Sequence, residues 1–125
     1  MKFRAICENH LYSKAYAKGK RFVTPSIAVY VLPDYAAARL AKAHPEKRKV
    51  NRIGLTVSKK LGGAVVRNRT KRILREAYRA AVKLHQVKVG YLIVIAARER
   101  ATTQKSTDLL PDLVRALDRL DMLLK

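Results

Sequence analysis

The sequence predicts an α+β fold: a four-stranded sheet packed with three helices. Apolar residues recur at helical spacing in three segments, and they alternate or run continuously in four shorter ones. Their order is helix, strand, strand, connection, strand, helix, strand, helix. That order suits a layered α+β arrangement. The 125 residues are 49% hydrophobic, enough for one buried core. No internal repeat, low-complexity stretch or dividing linker interrupts them, so residues 1–125 read as a single domain.

Residues 8–18 are predicted as a short helix. Leu11, Ala15 and Lys18 follow one row, Tyr12 and Tyr16 the next, and Gly19 supplies a stop. Residues 21–24 and 26–32 read as strands separated by Pro25, with Ile27, Val29 and Val31 alternating with Ala28, Tyr30 and Leu32. A connection follows over 34–49. It is longer than a minimal hairpin and reads as an insertion, with helical composition over 35–43. Residues 50–58 form the third strand, Ile53, Leu55 and Val57 on one side. Gly62 and Gly63 turn the chain into a long helix. Residues 91–97 form the strongest strand, and their near-continuous apolar run predicts a central position buried on both faces. The last helix is expected to start within 106–111 and to run to the end. Ser106, Thr107 and Asp108 offer N-caps, and Pro111 is tolerable only in the first turn. Leu110, Leu113, Val114, Leu117, Leu120 and Leu124 form its apolar stripe.

Charge narrows the function. The chain holds 28 Lys and Arg against 9 Asp and Glu, a net charge of +19. Residues 105–125 are neutral, with Lys105, Arg115, Arg119 and Lys125 against Asp108, Asp112, Asp118 and Asp121. The whole excess therefore lies in residues 1–104. A basic body with a neutral terminal helix points to a polyanion-facing region beside a packing element. The single cysteine, Cys7, excludes an internal disulfide and a cysteine-based metal site, and fits a cytoplasmic protein. No apolar run approaches the roughly 20 residues of a membrane span. No signal peptide is expected at the N-terminus. The chain has no Trp, and the Ala- and Leu-rich apolar side of the long helix suits core packing better than insertion into a bilayer.

The cations are densest over residues 59–83. On a helical wheel at about 100° per residue, Val66, Ile73, Leu74, Ala77, Ala80, Ala81 and Leu84 share one arc. Arg67, Asn68, Lys71, Arg72, Arg75, Arg79 and Lys83 fill the opposite side, with Arg69 at the border and Glu76 the one acid among them. One side can bury against a core while the other presents cations that repel each other until a polyanion covers them. RNA or duplex DNA supplies the matching phosphate array. Arg67 and Arg69 suit bidentate phosphate contacts, and Asn68 can both donate and accept.

The run Lys59-Lys60-Leu61-Gly62-Gly63-Ala64-Val65-Val66-Arg67-Asn68-Arg69-Thr70-Lys71-Arg72, with Arg75, resembles the signature of the bacterial ribonuclease P protein family. Gly63 departs from the family's commoner Asn, and Thr70 from a usual aliphatic; neither change removes a charge. The resemblance covers roughly residues 8–124. It implies the family's four-stranded sheet with three helices and a left-handed strand–helix–strand crossover, although nearly all such crossovers are right-handed. It also implies a partnership with the ribonuclease P catalytic RNA and with precursor tRNA, one protein per RNA. In that partnership the RNA subunit, with its bound Mg²⁺, removes the 5′ leader, and the protein holds no cofactor of its own. The resemblance implies Lys59, Lys60, Arg67, Asn68, Arg69, Lys71, Arg72 and Arg75 as RNA-binding residues, and the cationic arc adds Arg79.

The aromatic set is Tyr12, Tyr16, Phe22 and Tyr30. Pattern alone leaves core packing and a stacking platform for unpaired bases both open. The resemblance favours a cleft that holds the single-stranded leader, since Tyr12 and Tyr16 fall where the family has aromatics on its first helix and Tyr30 where it has one on the sheet. His10, His44 and His85 stand in separate elements, and four of the nine acids lie in residues 105–125. Neither a His acid–base pair nor a metal-holding carboxylate cluster is visible. No catalytic or metal-binding residue is therefore expected in the protein. The rival readings are a ribosomal or other structural RNA-binding protein, and a self-sufficient metal-dependent nuclease.

Overall fold

The computed structural model describes residues 3–5, 9–33, 51–88 and 90–123. The elements are β1 (Phe3–Ala5), α1 (Asn9–Lys18), β2 (Lys20–Val23), β3 (Ile27–Pro33), β4 (Asn51–Thr56), α2 (Ala64–Leu84), β5 (Tyr91–Ala97) and α3 (Ser106–Arg119). The expected insertion at 34–49 and its helix lie outside the described residues.

The α+β class and all four predicted strands are present. One mixed sheet has the order β1-β4-β5-β3-β2, with the short β1 added at an edge. Strand β5 is central, parallel to β4 and antiparallel to β3. Leu92, Ile93, Val94 and Ile95 are all buried, because helices cover both faces. On one face α2 and α3 enclose the main core: Ile27, Val29, Val31, Ile53, Ile93 and Ile95 meet Ile73, Leu74, Ala77, Tyr78, Leu109, Leu113 and Leu117. On the other, α1 lays Ala15 over Leu32, Leu92 and Val94, with Leu11, Tyr12 and Tyr30 around them.

Asn51 locks β4 to its neighbours. Its Nδ2 donates to Lys88 O at 2.8 Å and Tyr78 Oη at 3.3 Å, and its Oδ1 accepts the Tyr91 N–H at 3.1 Å. Burial raises the Tyr78 pKa above 10.0, and the Asn51 bond opposes this in part.

Three expectations need correction. Val66 and Leu84 fall on the apolar arc of α2 but are 37% and 65% exposed. The reason is length: a 21-residue helix is about 31 Å long, whereas strands of 6 and 7 residues span only about 20–24 Å. The helix overhangs the sheet at both ends.

The last helix stops at Arg119 instead of running to the end. Asp121 takes the left-handed conformation, φ 59°. Met122 N–H reaches Leu117 O at 2.8 Å and Asp121 N–H reaches Asp118 O at 3.1 Å, a Schellman closure. The chain then turns back, burying Met122 and bridging Leu123 to Val87. Leu124 lies outside the described residues.

Pro111 sits in the second turn of α3, counting from Ser106, and is tolerated on an exposed side. None of the three expected residues takes the N-cap position. Asp108 instead closes the start of the helix from its first turn, Oδ2 accepting Lys105 N–H at 2.9 Å.

Candidate nucleic-acid interface

The basic helix begins where two glycines let the chain turn. Ser58 Oγ accepts Lys60 N–H at 3.1 Å and shapes the 3-10 turn Lys59–Leu61. Gly62 follows at φ 151°, where a Cβ would also come within 2.9 Å of Val66 Cβ. Gly63 is the N-cap and has no side chain to bond the first amides of α2. The positive end of the helix is thus left open on the side that carries Lys59 and Lys60, both exposed.

Asn68, Arg72, Arg75, Arg79 and Lys83 are exposed along α2. Each lies three or four residues from the next, so they form a ridge with about 5.4 Å between successive turns. Glu76 interrupts it only weakly, 4.0 Å from Arg72 in an exposed pair. Among the described residues no acid forms an ion pair with Arg75, Arg79 or Lys83.

Three predicted members of this face sit differently. Arg67 and Lys71 are half-buried on the flank, and Arg67 Nε is shielded from solvent without a hydrogen-bond partner. Arg69 is exposed, yet its guanidinium already donates to Thr102 O at 3.1 Å and Gln104 O at 3.3 Å.

The aromatic group forms on the opposite face of the sheet. Tyr16 is 44% exposed. Its ring meets that of Tyr30 edge to face, centroids 4.8 Å apart and planes at 86°, and its hydroxyl lies 3.2 Å from Thr56 Oγ1. Tyr12 is half-buried beside them against β4. Gly54 makes that approach possible, since a Cβ there would sit 2.5 Å from Tyr12 Cε1. Arg21 is paired with Tyr30 in the register of β2 and β3 and is exposed.

Phe22 does not join this group. It pairs with Val29, packs against the core under α2 and α3, and lies 5.8 Å beneath the Arg115 guanidinium. Alternation along β2 puts Phe22 and Arg21 on opposite faces, so the set expected to line one cleft is reduced to three tyrosines. Gly54 and Thr56 belong to the cleft but escaped sequence reasoning. Their parity, opposite to Ile53, Leu55 and Val57, was the available signal.

His85 is exposed at the end of α2, and no three His, Cys, Asp or Glu side chains come together among the described residues. No helix among them is long and apolar enough to cross a membrane.

The family model for ribonuclease P matches residues 1–121. The chain belongs to the ribonuclease P protein family. It is 34% identical over 109 residues to the ribonuclease P protein component of Clostridium acetobutylicum, covering 87% of this chain and 82% of that protein. It is 37% identical over 98 residues to the component from Dehalococcoides mccartyi, covering 78% and 68%. The Staphylococcus aureus RNase P protein superposes with a TM-score of 0.73 at 26% identity, over 98% of this chain and 100% of that one. The Thermotoga maritima RNase P protein shares the fold, with a TM-score of 0.71 at 19% identity over 93% and 96%. Family membership makes the chain an RNA-binding component of a ribonucleoprotein that processes tRNA.

Proposed function

We propose that this chain docks on the ribonuclease P RNA through the exposed cations of α2 and holds the 5′ leader of precursor tRNA between α1 and the sheet. The observation that carries this reading is the division of labour across one sheet. An acid-poor cationic ridge lies over one face, and three tyrosines with an exposed ring lie on the other. The ridge suits a phosphate array. The tyrosine group suits unpaired bases, which stack on exposed aromatic rings regardless of sequence.

In this reading the RNA subunit performs the hydrolysis with its bound Mg²⁺. The protein brings two polyanions together, one protein per RNA, in the cytoplasm. Membership of the ribonuclease P family sets aside the reading as a structural RNA-binding protein of some other assembly.

The test is reconstitution. Adding the chain to a ribonuclease P RNA transcript at low magnesium should accelerate cleavage of precursor tRNA, and the chain alone should cleave nothing. Cleavage by the chain without RNA, or no acceleration with it, would overturn the proposal.

A further inference from the structure

We propose that Arg69 acts as a tether, and that the segment it holds, residues 98–105, adds a second cationic row to the RNA-binding face. The segment contains the 3-10 helix Glu99–Thr103 and leads into α3. It is fixed at both ends by arginines bonded to backbone carbonyls. At its start, Arg98 donates through Nη1 to Thr24 O at 2.9 Å and through its backbone N–H to Ser26 O at 2.9 Å. At its end, Arg69 of α2 spans the carbonyls of Thr102 and Gln104 with two nitrogens of one planar fork. Ala101, between them, is fully buried.

The consequence is positional. Arg100 and Lys105 are exposed, and neither forms an ion pair among the described residues. Lys105 directly follows the Gln104 carbonyl that Arg69 grips. The grip therefore holds these two cations beside the first turns of α2, on the flank opposite Arg67 and Lys71. Arg69 bonds neutral carbonyls, so its own charge stays uncompensated and adds to the field. A lysine in its place would keep the charge but offers a single nitrogen on a shorter, more flexible stem in place of the fixed two-nitrogen fork, and would hold the two carbonyls less firmly.

This inference rests on the reading of α2 as the RNA-docking helix, and the test separates the two. Binding of the full chain to a ribonuclease P RNA transcript is titrated with salt. The double variant Arg100→Ala, Lys105→Ala should flatten the log–log slope by roughly 1.4–1.8, from roughly 0.7–0.9 per phosphate contact. Arg69→Lys should move the slope the same way although it preserves the charge, and should have no further effect in the double-variant background. Hydrogen exchange at the Ala101 and Gln104 amides should quicken in Arg69→Lys while the thermal melt stays cooperative.

An Arg69→Lys slope equal to wild type would overturn the tether. An unchanged slope in the double variant would overturn the second row. If Arg72→Ala, Arg75→Ala also leaves the slope unchanged, the docking role of α2 itself fails, and this inference with it.

Discussion

Replacing Tyr16 with Ala separates a leader-binding role from a packing role. The variant loses an edge-to-face ring contact with Tyr30, worth about 0.5–1.5 kcal/mol. It also loses a 3.2 Å hydroxyl contact to Thr56 at an exposed site, worth about 0.5–1 kcal/mol. These contacts sum to about 1–2.5 kcal/mol, and the buried half of the ring adds roughly 1 kcal/mol, so the cost to the fold should be about 2–3.5 kcal/mol, below the ~5–15 kcal/mol that holds a typical domain. The protein should therefore remain folded. If a leader base stacks on the ring, its loss should weaken precursor binding by ~1–3 kcal/mol, about 5- to 150-fold. Mature tRNA has no leader and should bind as before. Tyr16→Phe keeps the ring and loses only the hydroxyl contact, so precursor affinity should fall less than about fivefold. The assay is holoenzyme affinity for precursor and for mature tRNA with each variant. Equal losses for the two ligands, or a Phe variant as weak as the Ala variant, would refute the stacking role.

The other predictions concern the basic ridge and the core. Arg72→Ala with Arg75→Ala should flatten the salt dependence of RNA binding by roughly 0.7–0.9 per residue in log–log slope; an unchanged slope in filter binding counts against the ridge. Asn51→Ala removes the side-chain partner of Lys88 O and Tyr91 N and one bond to Tyr78 Oη and should cost about 2–4 kcal/mol in denaturant unfolding, since Lys88 and Tyr91 remain half accessible to water. Tyr78→Phe should cost about 1–2 kcal/mol, because it removes the acceptor of one buried Asn51 N–H while Asn51 keeps its other two bonds. The folded-state pKa of Tyr78 is raised above 10.0, so its contribution is present below pH 10 and lost as the pH climbs past the folded value; the Phe variant should show a shallower alkaline decline in thermal melts. Self-repulsion at +19 predicts that sulfate raises the melting temperature more than chloride does at matched ionic strength.

The elements were legible because each had a local cause. Continuous apolar residues in β5, alternation in β3 and β4 and the 3.6-residue period of α2 are all written in the chain. The ends were less legible because tertiary geometry decides them. Val66 and Leu84 have the right helical phase but no sheet beneath them. The stop after Arg119 depends on Asp121 accepting a left-handed backbone and on Val87 waiting to pair with Leu123. At the candidate site, the helical wheel put Asn68, Arg72, Arg75, Arg79 and Lys83 on the side that is exposed, but it did not set Arg67, Arg69 and Lys71 apart and could not divide the aromatics. Phe22 and Tyr30 lie on adjacent strands, and only their register puts one under α3 and the other beside α1. Arg69 likewise looked like one cation among many, because its carbonyl partners lie more than 30 residues away.

The two faces of the sheet suit two different forces, and under the proposed function that division lets a small chain serve two RNAs at once. Cations on a ridge act through counterion release, a force that grows with every phosphate met and collapses with salt. Tyrosine rings act through stacking, which needs contact and an unpaired base but carries no charge. Exposed Arg21 beside Tyr30 adds one cation for a bound strand's phosphates, and the rings add the preference for unpaired bases. Under the same proposal, the exposed Tyr16 ring takes nucleotides that are already unpaired, because bases within a duplex are stacked on one another. The sheet keeps these rings apart from the ridge on α2. In the proposed complex, net charge sets how strongly the protein holds its RNA partner, and the tyrosines favour the unpaired strand.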